Sequence, residues 1–259
     1  MLYENVGKTH FHLSYTLVGI ALLLCLWELL IFLLVDETSE SQLRCFSPLP
    51  TLQTLLSLFA DPKFWHSTLA SLRRICIGTA IAFAIGYPLG IAIGYSKAIR
   101  AASGVPIHFL RMISPLAWMP IALLVFGNFE HAIYFLLVIT MLWPMALNVS
   151  FAISRIKTEW LQMARNQGAT EMQLIAKVII PASLPCIASS LRLAIGLAWI
   201  ILVPAEMFGV SSGLGYLIND ARDTLEYEKL SALAIAIGLF GFMIDRVISA
   251  FYAFFLKRG

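Results

Sequence analysis

Residues 164–181 read ARNQGATEMQLIAKVIIP, a polar segment lying between two runs apolar enough to dissolve in a bilayer. Thr158 stands where an N-cap is expected ahead of the run EWLQMARNQ. Gly168 follows that run, the residue type that most readily closes a helix in the left-handed conformation. Thr170 and Gln173 have the Thr-x-x-Gln spacing of a capping box, and the second helix, EMQLIAKVII, is expected to run until Pro181. The segment therefore reads as helix, glycine turn, helix. Its first helix is too short to persist alone in water, so it must pack on its own spans or on a partner protein.

Composition sets the class around this segment. The chain of 259 residues is 59% hydrophobic and 13% charged, with a mean hydropathy of +0.83, against roughly 25% charged residues in a soluble domain. Six apolar spans of the length needed to cross a hydrocarbon core are drawn at Tyr15–Val35, Ile75–Gly94, Val105–Phe126, Ala132–Ser154, Ile187–Phe208 and Ser231–Phe255. The expected fold is an all-α integral membrane protein with six transmembrane helices. The first span is too long for a signal-peptide core and is followed by DETSESQ without a small-x-small cleavage pattern, so it is taken as retained. A net charge of +3, scattered along the chain, gives no reason to expect a nucleic-acid partner. The four cysteines form no Cys-x-x-Cys pair and the histidines are dispersed, so no metal site is expected.

Orientation follows from Lys and Arg. With the N-terminus inside, the inner loops hold Lys8, Lys97, Arg100, Arg155, Lys157, Arg165, Lys177, Lys257 and Arg258. The outer loops hold six, Arg44, Lys63, Arg73, Arg74, Arg222 and Lys229. Nine against six places both termini in the cytoplasm. The chain then divides into a cytoplasmic tail 1–14, a first transmembrane helix 15–35, an external loop 36–64 and a core 65–259 that includes the inner loop 155–181. The stretch TLQTLLSLFADPKFWHSTLASL, residues 51–72, is expected to form an amphipathic helix at the outer surface. Gly86, Gly90 and Gly94 recur every four residues, a face that lets a neighbouring helix approach closely. Pro88, Pro115, Pro120, Pro144 and Pro204 each free a backbone carbonyl and are potential kinks. Ordinary packing is the plainer account of both patterns.

The pattern Gln162-Met163-Ala164, Gly168, Val178, Ile180 and Pro181 resembles the EAA…G…I.LP loop of ABC importer permeases. The family's Glu is Gln162 here and its first Ala is Met163. Residues 71–97, ISPLAWMPIALLVFG at 113–127, and LRLAIGLAWIILVPAEMFG with GLGYLI within 191–218 are similar to the permeases of nitrate, sulfonate, taurine and bicarbonate importers. The resemblance implies a type I importer core of five helices preceded by an additional N-terminal helix, in a bacterial inner membrane. It implies that Gln162, Met163, Ala164, Gly168 and Pro181 belong to a coupling loop docked on a separate ABC ATPase present in two copies. It further implies a second copy of this permease, a periplasmic or lipid-anchored solute-binding protein, and a small oxyanion or sulfonate substrate such as nitrate, taurine, alkanesulfonate or bicarbonate.

No Gly-x-x-x-x-Gly-Lys-Ser/Thr motif occurs, so this chain is read as a transport subunit rather than an enzyme, binding no cofactor itself, with ATP and Mg held by the partner ATPase. GVSSG, Gly209–Gly213, matches a nucleophile elbow only literally: it follows a membrane span, and no histidine occurs after His131. It is read as a turn at the outer surface. Arg73, Arg74, Arg192 and Glu206 are the ionisable groups in or beside spans that become pathway candidates; the plainer account is snorkelling for the arginine pair and helix–helix pairing for Glu206. Glu28 and the adjacent Asp245 and Arg246 are read as packing or interfacial anchors. The rival from another class is a secondary transporter driven by an ion gradient, whose paired half-repeats with broken helices are not found here.

Overall fold

The computed structural model describes residues 2–34 and 44–256, and all of its regular structure is helical. The helices are α1 (Leu2–Leu34), α2 (Pro48–Ala60), α3 (Pro62–Tyr95), α4 (Lys97–Met112), α5 (Met119–Phe126), α6 (Phe129–Ser154), α7 (Thr158–Asn166), α8 (Glu171–Leu174), α9 (Ile180–Glu206), α10 (Leu214–Asp223) and α11 (Tyr227–Leu256). A 3₁₀ turn at Pro115–Trp118 precedes α5, and a π turn at Ile175–Ile179 joins α8 to α9. The described residues fall into two bodies, one of residues up to Pro62 with Ile218–Ala236, the other of Lys63–Leu217 with Ile237 onward.

In the first body, α1 is apolar over Val18–Leu33 and exposes Leu22, Leu26 and Leu33 along its length. α2 buries Thr51, Leu55 and Leu58 and leaves Leu49 and Leu56 exposed. Thr51 Oγ1 hydrogen-bonds Ser231 Oγ at 2.8 Å. The amphipathic helix expected over 51–72 stops at Ala60: Asp61 is extended (φ −84°, ψ 118°), as the residue before a proline prefers, and Pro62 opens the next helix. The external-loop residues 62–64 and the stretch beyond them therefore lie in α3, a helix of 34 residues. Residues 35–43 of the expected loop lie outside the described residues.

The second body is organised on α6, whose Ile133, Leu136, Leu137, Met141 and Met145 are fully buried. α9 meets α6 through the small residues Ala194, Ala198 and Ala205, with Leu202. α3 meets it through glycines. A Cβ on Gly90 would lie 2.6 Å from Val149 Cβ and 2.7 Å from the Ala146 carbonyl, one on Gly94 2.8 Å from Ile153 Cβ, and one on Gly86 3.2 Å from the Leu142 carbonyl. The four-residue glycine spacing thus lies along the groove of α6. Gly90→Ala is expected to lower the unfolding temperature of the detergent-solubilised chain by several degrees, since overpacking a tight contact costs about 1–3 kcal/mol. Gly196→Ala, where a Cβ meets nothing within 4 Å, is expected to leave it unchanged. Equal melting of both variants would show that α3 and α6 are not this close.

Among the described residues, four helices are long and apolar enough to span a membrane: Pro62–Tyr95, Phe129–Ser154, Ser189–Glu206 and Tyr227–Ala250. The expected third span is not a straight helix. α4 and the Pro115–Phe126 segment meet at 88°, giving five spans if this pair is one broken crossing. Ile113 and Ser114 are both extended there (ψ 127°), because Pro115 disfavours the helical region for the residue before it. Pro88, Pro144 and Pro204, by contrast, stay inside continuous helices. The expectation of six spans is thus met by four or five among the described residues, the apolar part of α1 being shorter than the rest.

Candidate functional site

Two sites lie at opposite ends of α6, which at 1.5 Å per residue over 26 residues is about 39 Å long. At its C-terminal end is the hairpin of α7 and α8. The N-cap of α7 is Lys157, not Thr158: the Lys157 carbonyl accepts from the Trp160 amide at 3.1 Å, and Thr158 is the first helical residue. The helix is closed by a pair of reverse hydrogen bonds. The Gly168 amide donates to the Arg165 carbonyl (2.9 Å) and the Ala169 amide to the Ala164 carbonyl (3.1 Å), with Gly168 at φ +81°. This is a Schellman closure, and glycine is the residue type that holds its left-handed position without strain. Thr170 and Gln173 then cap α8 reciprocally, at 3.3 and 3.0 Å.

The hairpin does not stop at Pro181. A π turn over Ile175–Ile179 carries the chain directly into α9, with Pro181 in its first turn. The wider turn re-spaces the carbonyls ahead of the proline ring, which a regular α-turn would oppose.

α7 is anchored on one side and free on the other. Leu161 packs on the cluster of Val149, Ile153 and Ile179, and Ala164, one turn on, is half-buried on the same side. Arg165 donates to the Tyr95 hydroxyl (2.8 Å) and to Glu171 (3.2 Å), and Tyr95 in turn donates to Glu171. The Tyr95 hydroxyl foremost, and then Arg165, hold the Glu171 carboxyl below the usual carboxylate range. The tether is therefore intact above that range and opens as pH falls through the lowered value. Gln162 faces solvent, and so do Trp160, Met163 and Met172, which are 52%, 60% and 77% exposed. Three large apolar side chains project from one short polar hairpin.

At the other end of α6, helix ends converge on two carboxylates. Arg74, 2% exposed, donates from Nη1 to Glu206 Oε1 (2.7 Å) and the Ser212 carbonyl (2.7 Å), and from Nη2 and Nε to Glu130 Oε2 (2.6 and 3.0 Å). Arg73, 64% exposed at its side chain, reaches the other oxygen of Glu130 at 3.0 Å. Ser71 donates to Glu206 and accepts from the Leu214 amide (2.9 Å), while the Gly215 amide donates to Glu206 (2.9 Å). The turn Gly209–Gly213 is thereby wrapped on the Glu206 carboxylate so closely that a Cβ at Gly213, itself at φ +123°, would fall 2.4 Å from it. The turn reading of GVSSG and the pairing of Glu206 are both seen in this geometry. Arg192 lies apart from this cluster, in an ion pair with Asp245 (2.6 and 2.8 Å).

Glu130, Ser71 and Ser212 were not singled out by the sequence. The only local signal was Asn128 two residues before Glu130, where its side chain accepts from the Glu130 amide (2.7 Å) and caps α6.

Comparison with known proteins agrees with this architecture. Residues 86–258 match the family described as binding-protein-dependent transport system inner membrane component. The chain is 34% identical to the bicarbonate transport system permease protein CmpB of Synechococcus elongatus, covering 93% of this chain and 89% of that one. It is 31% identical to the nitrate import permease protein NrtB of Leptolyngbya laminosa (94% and 88% covered) and 29% identical to the taurine transport system permease protein TauC of Escherichia coli (76% and 74%). Among solved structures, an amino acid ABC transporter crystallised with histidines superposes with a TM-score of 0.64 at 18% identity, over 79% of this chain and 98% of that one. The methionine transporter MetNI in an inward-facing conformation gives 0.56 at 22% identity, over 73% and 98%. The chain belongs to the binding-protein-dependent inner membrane components and is the permease subunit of an ABC importer.

Proposed function

We propose that this permease carries a small oxyanion or sulfonate inward, driven by an ATPase that docks on the α7–α8 hairpin. The observation that carries the reading is the exposed apolar set Trp160, Met163 and Met172 on a hairpin fixed by Gly168 and by the Arg165–Tyr95–Glu171 tether. Gln162, Met163, Ala164, Gly168 and Pro181 form or support this coupling element: Met163 presents, Ala164 seats α7 on its own spans, Gly168 turns the chain and Pro181 begins the helix that transmits the motion. ATP and Mg belong to the ATPase. Two permease copies line the pathway above two ATPases, and a solute-binding protein delivers substrate from outside. The apolar part of α1 completes a sixth crossing, both termini are cytoplasmic, and the membrane is the bacterial inner membrane.

At the outer end, Arg73 attracts the incoming anion, while Arg74 and Glu206 hold the Gly209–Gly215 turn and Arg192 straps α9 to α11. The relatives named for bicarbonate, nitrate and taurine transport support the substrate class. Uptake of labelled nitrate, bicarbonate, taurine and ethanesulfonate by cells with and without this chain tests it; uptake of none of them would set the class aside.

Orientation has its own test. In a background lacking native thiols, Asp223→Cys is expected to react with an impermeant maleimide in intact cells, and Ala169→Cys is expected to react only after lysis. Labelling of Ala169→Cys in intact cells would invert the topology.

A further inference from the structure

Seven arginines lie within or beside the membrane-crossing helices, and six of them are engaged. Arg73 and Arg74 pair with Glu130 and Glu206, Arg192 pairs with Asp245, Arg100 donates to the Ile93 and Gly94 carbonyls, and the Arg155 and Arg246 guanidinium groups lie 4.0 and 4.8 Å from the Phe151 and Phe242 ring centroids. The seventh is Arg111, in the last turn of α4 just before the 88° break. Among the described residues no carboxylate lies within ion-pair distance of it. An unpaired cation at membrane depth is costly and calls for a partner.

Arg111 lines a cavity of about 430 Å³ between the broken pair, α6 and α9, a volume in the range of small-molecule sites. Thr140 and Trp143 of α6 line it too, at the middle of that helix's 129–154 run. The Trp143 indole nitrogen is buried without a hydrogen-bond partner, whereas the Thr140 hydroxyl is spent on the Leu136 carbonyl (2.6 Å). The donors left for a ligand therefore include a guanidinium and the buried Trp143 indole N–H, and neither group can accept. No Asp or Glu lines the cavity, and the remaining wall is proline, tryptophan, leucine and isoleucine. A break between two helices beside a mid-depth cavity is also the arrangement in which discontinuous helices hold solutes in other transporters.

We infer that this cavity is a binding site within the permease itself for a small monoanion with a short apolar body, an alkanesulfonate in chemistry, with Arg111 as its counter-charge and the Trp143 N–H as a second donor. The apolar wall repays burial of the alkyl part, which nitrate or bicarbonate lacks. An ammonium group, as in taurine, would enter with no carboxylate to receive it. The inference rests on the anion class proposed above and narrows it.

The test is calorimetric titration of the purified full-length chain with ethanesulfonate, taurine and nitrate. Ethanesulfonate is expected to bind at least tenfold more tightly than either of the others. Arg111→Gln is expected to weaken it at least tenfold, and Arg111→Lys, which keeps the charge, by no more than about threefold. Trp143→Phe keeps an aromatic side chain but loses the N–H with the pyrrole half of the indole, and should weaken binding severalfold even if Arg111→Gln fails to accumulate. Unchanged affinity in Arg111→Gln and Trp143→Phe, or equal affinity for taurine and ethanesulfonate, would overturn the site. Cellular uptake separates the two levels. Uptake of an anion with kinetics that Arg111→Gln does not alter keeps the proposed function and removes this site. Absence of any anion uptake removes the substrate class itself.

Discussion

Arg74→Ala is expected to reduce the stability of the detergent-solubilised chain by about 3–5 kcal/mol, the cost typical of removing one partner from a buried ion pair. Arg74 and Glu206 are both essentially excluded from solvent, with side chains 2% and 0% exposed. Loss of the guanidinium leaves the Glu206 carboxylate with Ser71 and the Gly215 amide and no counter-charge. It also removes the donor to the Ser212 carbonyl, so the Gly209–Gly215 turn is expected to loosen. The effect should read as a large fall in unfolding temperature, with weak accumulation in membranes. Arg74→Ala combined with Glu206→Ala should be markedly less destabilising than the two single costs added together, because the double variant leaves no orphaned charge. Additive losses would mean that the pair is not coupled. Arg73→Gln, at a surface-exposed bridge, should leave the unfolding temperature close to that of the wild type.

The second large effect is expected at Gly168. A β-branched residue at φ +81° is strained where glycine is not, and asparagine tolerates the left-handed region better than most residues. Gly168→Val is therefore expected to open the Schellman closure, displace α7 from α8 and lower solute uptake at least tenfold, while Gly168→Asn retains most of it. No neighbour lies within 4 Å of a Cβ at this position, so the difference between the two variants reports backbone conformation and not crowding within the chain. Membrane levels of both should match the wild type, because the turn lies outside the packed core of α3, α6 and α9. Equal uptake by Val and Asn variants would mean that the hairpin geometry does not matter to transport.

The parts of this molecule that were legible in sequence are those fixed by near neighbours in the chain. Gly168, Thr170 and Gln173 encode their hairpin within six residues, and its closing and capping bonds are present. Thr158 is a favourable capping residue, but the backbone bond from Trp160 to Lys157 starts the helix one residue earlier, and no side-chain preference encodes that bond. Pro181 misled for a related reason: a proline ends a helix only where no turn beside it can absorb the lost bond, and here a π turn does. The break at Pro115 was no more visible than the continuity at Pro88, Pro144 and Pro204, since the proline itself is common to all four.

The Arg74 site was only half legible. Arg74 and Glu206 stood out as charges in apolar surroundings, but their convergence on Glu130 and Ser71 joins residues 56 to 135 positions apart. No local pattern encodes such a meeting. Arg111 was hidden differently. Its distinction is the absence of a carboxylate partner among the described residues, and that property appears only once the other arginines of the crossing helices have been seen to be engaged.

The most direct measurement of the central claim is affinity purification of the tagged chain from its native membranes in mild detergent, with ATP hydrolysis assayed in the eluate. The coupling-loop account predicts that the wild-type chain brings down an ATP-hydrolysing subunit in equal amount. Met163→Asp, which places a charge on the exposed apolar face without touching the packed side of α7, should be equally abundant and bring down at least tenfold less. An eluate with the same ATPase content for Met163→Asp as for the wild type would contradict docking through this hairpin.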